Sequence, residues 1–265
     1  MVRLLKNKSK NRKIFKVFSR IIIFIILIAI IFSIVFLSGL FKIKSIEISI
    51  DNEQEDGENI TISEIESLSG ISIGENLFEK SAGEIKTSIY LNSYVNSITV
   101  SKSLTGVVSI NVEERKISYL INYAGSYIYI SNGGYILEIN SETKDVPIIL
   151  GSTTDFTNLA VGNEEEITRL NEEDLEKLTV VNNIMEISRN NDIDGLISRI
   201  DISDDKNYII YLDSENKTAY LGDCSDLNTR ILYMKAIVKK EAGITGEIFV
   251  NGDLNTENVY FRESV

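Results

Sequence analysis

The stretch Ile43–Ile50, IKSIEISI, decides how the chain is organised. Its isoleucines at 46, 48 and 50 alternate with polar residues, and this period-two pattern predicts a half-buried β-strand. The sequence changes character on both sides of this strand. An uncharged apolar run precedes it, and two short helical patterns follow it. We therefore expect a folded part to begin here.

Two capping-box patterns follow the strand and predict two short helices. Thr61-x-x-Glu64 opens a helix that Gly70 ends, and Ser81-x-x-Glu84 opens a second one. Alternating apolar residues then predict a pair of strands joined by a tight turn. The first folded part is thus expected to follow the order strand, helix, helix, strand, strand, with the last two strands at Val95–Ser103 and Val107–Glu113.

The apolar run Ile21–Phe41 is long enough to cross a membrane. As a helix it would measure about 31 Å, which matches the roughly 30 Å hydrocarbon core of a bilayer. The apolar region of a cleaved signal peptide is usually only about 7–15 residues long. The sequence therefore predicts an uncleaved transmembrane helix over residues 21–41.

Charge is distributed unevenly and predicts the orientation of this helix. The whole chain has 27 basic and 39 acidic residues, but residues 1–20 contain eight basic residues and no acid. The other 245 residues therefore carry a net charge of −20. Basic residues stay on the cytoplasmic side, so we expect a single-pass type II protein with its bulk outside the cytoplasm. An acidic exterior also argues against nucleic acid as a partner.

Composition excludes several classes of enzyme. The chain has no His and a single Cys, so Ser-His-Asp catalysis, Cys-His catalysis, His-ligated zinc sites and intrachain disulfides are excluded. We predict no catalytic residue, metal or cofactor. The abundance of acids leaves one alternative open, a membrane-anchored cell-wall enzyme that uses paired carboxylates.

One segment resembles a calcium-binding loop. Asn190, Asp192 and Asp194 with Gly195 and Asp201 have the spacing of the ligands in a twelve-residue calcium loop. The residues that follow alternate like a strand rather than a helix. A polar turn followed by a β-strand is therefore the other interpretation, and both stay open.

Beyond Glu114 the pattern changes to short strands with two longer helices, which predicts an α+β chain. Helices are expected from Asn171 to about Arg189 and from about Asp226 to Glu241. Pro147 lies within Val146–Leu150, which we predict to be an edge or terminal strand. The remaining strands are predicted at Ile117–Tyr123, Tyr127–Ser131, Tyr135–Asn140, Leu196–Ile202, Tyr208–Leu212 and Thr218–Leu221.

The C-terminal segment predicts a hairpin with an uncovered edge. Its strands are Glu247–Val250 and Val259–Arg262, and Asn251-Gly252-Asp253 begins the connection between them. An edge strand offers unpaired main-chain groups to another chain. The alternative is an ordinary edge that Arg262 and Glu263 protect from such pairing.

The chain also carries an ordered set of short motifs, namely Phe41-x-Ile43-x-x-Ile46, Gly70-Ile71-x-x-Gly74-x-Asn76-Leu77-Phe78, Tyr94-Val95, Val112-Glu113-Glu114-Arg115-Lys116, Gly134 with Leu137, Pro147 with Gly151, and Leu221-Gly222. This set, which spans nearly the whole chain, resembles the FtsQ/DivIB family of bacterial cell division proteins. Three features depart from the family pattern: the acidic loop Asp51–Glu58 is longer and more acidic than the usual turn, Ile117 replaces a common Pro, and Ser81 replaces a frequent Asp.

The resemblance implies an architecture and a function. It implies a basic cytoplasmic tail at 1–20, the transmembrane helix at 21–41, a POTRA domain (a βααββ module) at 42–113 and the family's β-domain at 114–265. It also implies a non-enzymatic scaffold at the division septum that binds FtsL and the DivIC (FtsB-type) protein. The partner-binding residues implied by position are Ile248, Phe249, Val250, Val259, Tyr260, Phe261 and Arg262.

Overall fold

A computed structural model of the protein describes residues 16–31, 33, 41–51, 58–160, 168–223, 225–252, 254 and 259–264. The chain divides into two compact units, Met1–Glu114 and Arg115–Val265.

The chain is helical over residues 16–31, which include residues 21–31 of the predicted transmembrane segment. The large apolar side chains of residues 17–31 are between 46% and 65% exposed. No helix found among the described residues combines the length and apolar character that crossing a membrane requires. Residues 1–15 of the predicted tail, 32 and 34–40 of the predicted span, and 52–57 of the acidic loop lie outside the described residues.

The first unit confirms the predicted order strand, helix, helix, strand, strand. Its elements are β1 (Ser45–Ile50), α1 (Ile62–Ser69), α2 (Ala82–Ile89), β2 (Val95–Lys102) and β3 (Val107–Glu114). β3 lies in the centre of a three-stranded sheet, parallel to β1 and antiparallel to β2. The parallel pair needs a long crossover, which α1, α2 and β2 supply.

Both predicted capping boxes are present. The Thr61 hydroxyl accepts a hydrogen bond from the Glu64 N–H, and the Glu64 carboxylate accepts one from the Thr61 N–H. Ser81 and Glu84 exchange the same two bonds at the start of α2. Gly70 ends α1 in the left-handed conformation, with φ of 58°. These local bonds satisfy main-chain donors that a short helix would otherwise leave unpaired.

The described residues of the second unit form a nine-stranded sheet and two α-helices, which confirms the α+β class. Its strand order is β12-β11-β10-β9-β8-β7-β4-β5-β6. The elements are β4 (Tyr119–Tyr123), β5 (Ser126–Ile130), β6 (Ile136–Asn140), β7 (Ile148–Leu150), α3 (Glu172–Asn190), β8 (Arg199–Asp201), β9 (Tyr208–Leu212), β10 (Lys217–Gly222), α4 (Leu227–Lys240), β11 (Gly246–Phe249) and β12 (Tyr260–Glu263).

The prediction of an edge or terminal position for the Pro147 strand is wrong. β7 lies inside the sheet, parallel to β4 on one side and to β8 on the other. Pro147 immediately precedes β7, and its carbonyl accepts a hydrogen bond from the Leu120 N–H. The missing N–H of the proline therefore interrupts no hydrogen bond within β7 itself.

Both helices contribute to a single apolar core on one face of this sheet. Val181 and Ile184 of α3 and Ile231 of α4 are fully buried, together with inward-facing strand residues such as Ile200 and Ile210. Outward-facing strand residues near β12 stay half-exposed, among them Ile209, Tyr211, Tyr220 and Phe249. The sheet therefore has a core face, which the two helices cover, and an outer face, whose side chains near β12 stay partly exposed.

A buried carboxylate joins the start of α3 to the connection after β7. Asp174 accepts hydrogen bonds from the Ser152 hydroxyl at 2.6 Å, the Thr153 N–H at 3.0 Å and the Thr154 N–H at 2.9 Å. Burial raises the pKa of this carboxyl, but the hydrogen bonds outweigh burial and hold its pKa below the ordinary value. Asn171 caps the helix as predicted.

A substitution at Gly151, next to this connection, tests how tightly the second unit is packed there. Its φ is 79°, and an added Cβ would lie 2.6 Å from the main-chain nitrogen of Ser203 and 2.8 Å from its Cα. We expect Gly151→Ala to lower the free energy of unfolding by roughly 2–5 kcal/mol, the sum of backbone strain and overpacking. Urea unfolding followed by tyrosine near-UV circular dichroism measures this loss.

Gly125→Ala is the matched control for that experiment. Gly125 has a similar φ of 85°, but nothing described lies within 4 Å of an added Cβ. It should therefore cost only the strain, about 1–2 kcal/mol. Equal losses for the two variants would contradict the steric explanation.

Candidate functional site

β12 is the edge strand of the nine-stranded sheet, and the predicted C-terminal hairpin is confirmed. β11 runs parallel to β10, and β12 returns antiparallel to β11. The register pairs Gly246 with Glu263, Glu247 with Arg262, Ile248 with Phe261, and Phe249 with Tyr260. Among the described residues, no strand pairs with the other side of β12.

The main-chain groups that β12 exposes on its free side follow from two hydrogen bonds. The Ser264 N–H donates to the Thr245 carbonyl, and the Val250 N–H donates to the Tyr220 carbonyl in β10. Hydrogen-bonding direction alternates along a strand. The main-chain groups of Tyr260 and Arg262 therefore point towards β11, and those of Phe261 and Glu263 point towards the free edge.

The side chains of the hairpin divide between the two faces of the sheet. Ile248 and Val250 are fully buried, and Phe261 and Val259 are partly buried against the same core. Phe249, Tyr260 and Arg262 lie on the outer face. All seven residues predicted for partner binding thus lie in or directly beside this hairpin. Ile248 and Val250, however, are buried and inaccessible from outside.

An aromatic stack runs across the outer face to the edge. The ring centroids of Tyr220 and Phe249 are 4.8 Å apart with planes inclined by 7°. Those of Phe249 and Tyr260 are 4.7 Å apart with an angle of 15°. Cross-strand aromatic pairs stabilise neighbouring strands, so this stack attaches β12 to the sheet. Tyr220 is part of this stack, yet we did not predict it as a candidate site residue, because only the strand order places it opposite Phe249.

A polar cluster lies beside the stack. The Glu247 carboxylate accepts hydrogen bonds from the Arg262 Nε at 2.7 Å and from the Tyr220 hydroxyl at 2.8 Å. These bonds, with that of Arg262 the stronger influence, hold the pKa of Glu247 below its ordinary value. The bond to Glu247 also raises the pKa of Tyr220. The Arg262 guanidinium lies over the Phe249 ring, 4.9 Å from its centroid.

Arg230 in α4 fixes the chain where it leaves β11. This side chain is buried, and its guanidinium donates to the carbonyls of Ser225, Val250 and Gly252. We did not predict this role. The available signal was a basic residue within the apolar stripe of the helix, which includes Leu227, Ile231, Met234 and Val238.

The segment that resembles a calcium loop forms a turn followed by a strand. Residues Asp194–Leu196 make a 3-10 turn, and Asp201 ends β8. The Asp201 carboxylate accepts hydrogen bonds from the N–H and hydroxyl of Ser203, and Asp194 lies 3.5 Å from Arg189. The described residues contain no group of three or more acidic or sulfur ligands placed to hold a metal ion.

The carboxylates offer no support for paired-carboxylate hydrolysis. Such an enzyme requires a carboxylic acid whose pKa is raised so that it can act as the general acid. Within the described parts of the chain, every carboxyl group with a displaced pKa has it displaced downward, namely Glu84, Asp155, Asp174, Asp213, Asp223 and Glu247. Cys224, the single thiol, lies outside the described residues.

Comparisons with known proteins find one matching domain family and similar bacterial cell division proteins. Residues 41–115 match the POTRA domain, FtsQ-type. The chain is 25% identical over 225 residues to the cell division protein DivIB of Clostridium botulinum strain Hall, covering 85% of this chain and 79% of the relative. It is 30% identical over 224 residues to the cell division protein DivIB of Listeria monocytogenes, covering 83% of this chain and 73% of the relative.

Arg230→Met tests whether this cation fixes the hairpin. It leaves buried carbonyls without a donor, so we expect the second unit to lose roughly 1–3 kcal/mol of unfolding free energy. Amide hydrogen exchange should accelerate in β11 and β12. Arg189→Met is the control, because the exposed Arg189 side chain makes a single 3.5 Å ion pair with Asp194, and such surface pairs contribute only about 0–1 kcal/mol. Unchanged exchange in β12 would contradict the proposed role.

Glu247 makes the hairpin sensitive to acid. Because its pKa is lowered in the folded protein, its contribution to stability is complete above the ordinary value of 4.5 and disappears as the pH falls through the lowered pKa. Glu247→Gln lacks this contribution at every pH. We expect the difference in melting temperature between the wild type and this variant to shrink below pH 4.5. A difference independent of pH would show that the carboxylate charge is unimportant.

Proposed function

This chain belongs to the FtsQ/DivIB family of bacterial cell division proteins, and from that membership we propose that it is a non-enzymatic, membrane-anchored scaffold of the divisome. Residues 21–41 anchor it, with the N-terminus in the cytoplasm and residues 42–265 outside. A POTRA domain at 42–113 and a β-domain at 114–265 form the external part. That part binds FtsL and the DivIC (FtsB-type) protein at the division septum.

The free edge of β12 is the observation that carries the binding proposal. The main-chain groups of Phe261 and Glu263 point outward, so an extended peptide from a partner gains hydrogen bonds by extending the sheet. Side chains that alternate along that peptide would meet Tyr260 and Arg262 on one face, and Phe261 and Glu263 on the other. The DivIC-type partner is proposed to supply this strand.

The position of Arg262 supports an open edge rather than a protected one. Charged side chains protect an edge strand when they stand in the way of an incoming strand. The Arg262 guanidinium instead lies over Phe249 in the neighbouring strand and binds Glu247 there. It therefore folds back over the sheet, away from the free side of β12.

The aromatic stack indicates what kind of side chain the partner presents. Tyr260 is half-exposed and ends the stack at the edge of the sheet. An apolar side chain on the partner's outer face would continue this stack and lose its contact with water. We therefore propose an apolar or aromatic residue opposite Tyr260.

The anchor has its own support. Residues 16–31 are helical, and their apolar side chains are exposed to an extent that suits a lipid environment. Eight basic residues in 1–20 favour a cytoplasmic N-terminus.

Glu263→Pro removes one outward N–H without altering a residue of the core. Because a partner carbonyl would then lose its donor, we expect the full-length protein in nanodiscs to bind the ectodomain of DivIC roughly tenfold more weakly. Biolayer interferometry measures the affinity. Glu263→Ala keeps the N–H and should bind almost like the wild type.

Equal affinities for Glu263→Pro, Glu263→Ala and the wild type would contradict strand addition at this edge. Equal weakening by both variants would show that the carboxylate, rather than the N–H, makes the contact.

A further inference from the structure

One end of the first unit exposes three large apolar side chains on two separate loops. Ile73 and Phe78 lie on the connection between α1 and α2, and Leu104 lies on the turn between β2 and β3. Their side chains are 68%, 49% and 68% exposed, respectively. Large apolar residues that cluster at a surface usually mark a binding site.

Main-chain hydrogen bonds bring both loops to the point where the chain enters this unit. The Leu77 N–H donates to the Phe41 carbonyl at 2.7 Å, and the Gly74 N–H donates to the Ile43 carbonyl at 2.8 Å. On the β2–β3 turn, the Gly106 carbonyl accepts a hydrogen bond from the Lys44 N–H at 2.7 Å. Residues 41–44 therefore lie beside both loops.

Phe41 connects this end of the unit to the proposed anchor. Its ring packs edge-to-face on Phe78, with ring centroids 5.3 Å apart. Phe41 is also the last residue of the apolar run 21–41, so no residue separates the run from the cluster. We call Phe41, Ile73, Phe78 and Leu104 the juxtamembrane patch.

The charge around the patch is opposite to that of the other residues between 41 and 114. Residues 41–114 contain five lysines, no arginine and thirteen acids. Lys42, Lys44 and Lys80 lie in the segments that form this end, and Lys102 ends β2 beside them. The same segments contain two acids, Glu75 and Glu79. The Lys80 and Lys102 ammonium groups bind main-chain carbonyls, which leaves Lys42 and Lys44 exposed to solvent.

We propose that the juxtamembrane patch inserts into the outer surface of the lipid bilayer that holds residues 21–41. Aromatic and aliphatic side chains enter the boundary between headgroups and acyl chains, and lysines beside them attract anionic headgroups. The occupant follows from where the apolar run ends and from the local positive charge. The inference rests on the proposed membrane anchor and adds to it a fixed orientation of the first unit.

The opposite end of the same unit supplies a matched control. Leu91 is 80% exposed, but it precedes β2, whereas Leu104 follows it. The eight residues of β2 separate these two ends by about 23 Å. Leu91 is thus an exposed apolar residue outside the patch, and it should remain in water.

Depth-dependent fluorescence quenching tests the proposal on the full-length chain. In a Cys224→Ser background, single cysteines replace Ile73, Phe78, Leu104 or Leu91 and carry an environment-sensitive fluorophore. The protein is reconstituted into phosphatidylcholine vesicles that contain phosphatidylglycerol and a lipid with a nitroxide at carbon five of its acyl chain. Near-UV circular dichroism checks that each labelled variant is folded.

We expect at least about twofold quenching at positions 73, 78 and 104, since inserted side chains reach roughly 5–10 Å into the lipid. The label at position 91 should keep its full fluorescence. Protein that floats with the vesicles while positions 73, 78 and 104 stay unquenched would overturn the proposal and leave the anchor intact. Quenching of position 91 to the same extent would also overturn it. Protein that does not float with the vesicles would instead refute the anchor, and the inference with it.

Discussion

The parallel pairing of β10 and β11 is the constraint on which the free edge depends. A tight turn cannot join two parallel strands, so the chain must cross over the sheet between them. α4 makes this crossover, and its residues Ile231, Met234 and Val238 complete the core on that face. β12 then returns antiparallel and becomes the outermost strand. Gly246 permits this return, because an added Cβ would collide with the Arg262 carbonyl.

Side chains on both faces of the terminal hairpin hold β12 against the sheet. Phe261 and Ile248 attach it to the core, and burying an apolar side chain of this size contributes about 1.5–3 kcal/mol. Tyr260 and Phe249 stabilise the same pairing from the outer face through ring stacking. β12 is therefore already ordered before any partner arrives. A partner strand would have to order only itself, which reduces the entropy lost on binding.

The elements that could be predicted from the sequence are those whose determining contacts are local. The Thr61–Glu64 capping box and the alternation of Ile46, Ile48 and Ile50 lie within a few residues, and both were predicted correctly. β7, the strand that follows Pro147, was wrongly predicted to lie at an edge. Its neighbours β4 and β8 are set by pairing between residues distant in sequence. The roles of Arg230 and Tyr220 depend on the same long-range pairing. The calcium-like spacing of Asn190 to Asp201 was ambiguous for a related reason, since only the strand partner of Asp201 shows which structure forms.

If the patch contacts the bilayer, the acidic character of the chain beyond residue 20 helps to orient the first unit. An anionic leaflet repels a segment that carries a net charge of −20, so contact with lipid is unfavourable for most of its surface. The juxtamembrane patch lies beside the exposed side chains of Lys42 and Lys44, and it escapes this repulsion. Charge then acts as an orienting force, attracting one end of the first unit and repelling the remainder.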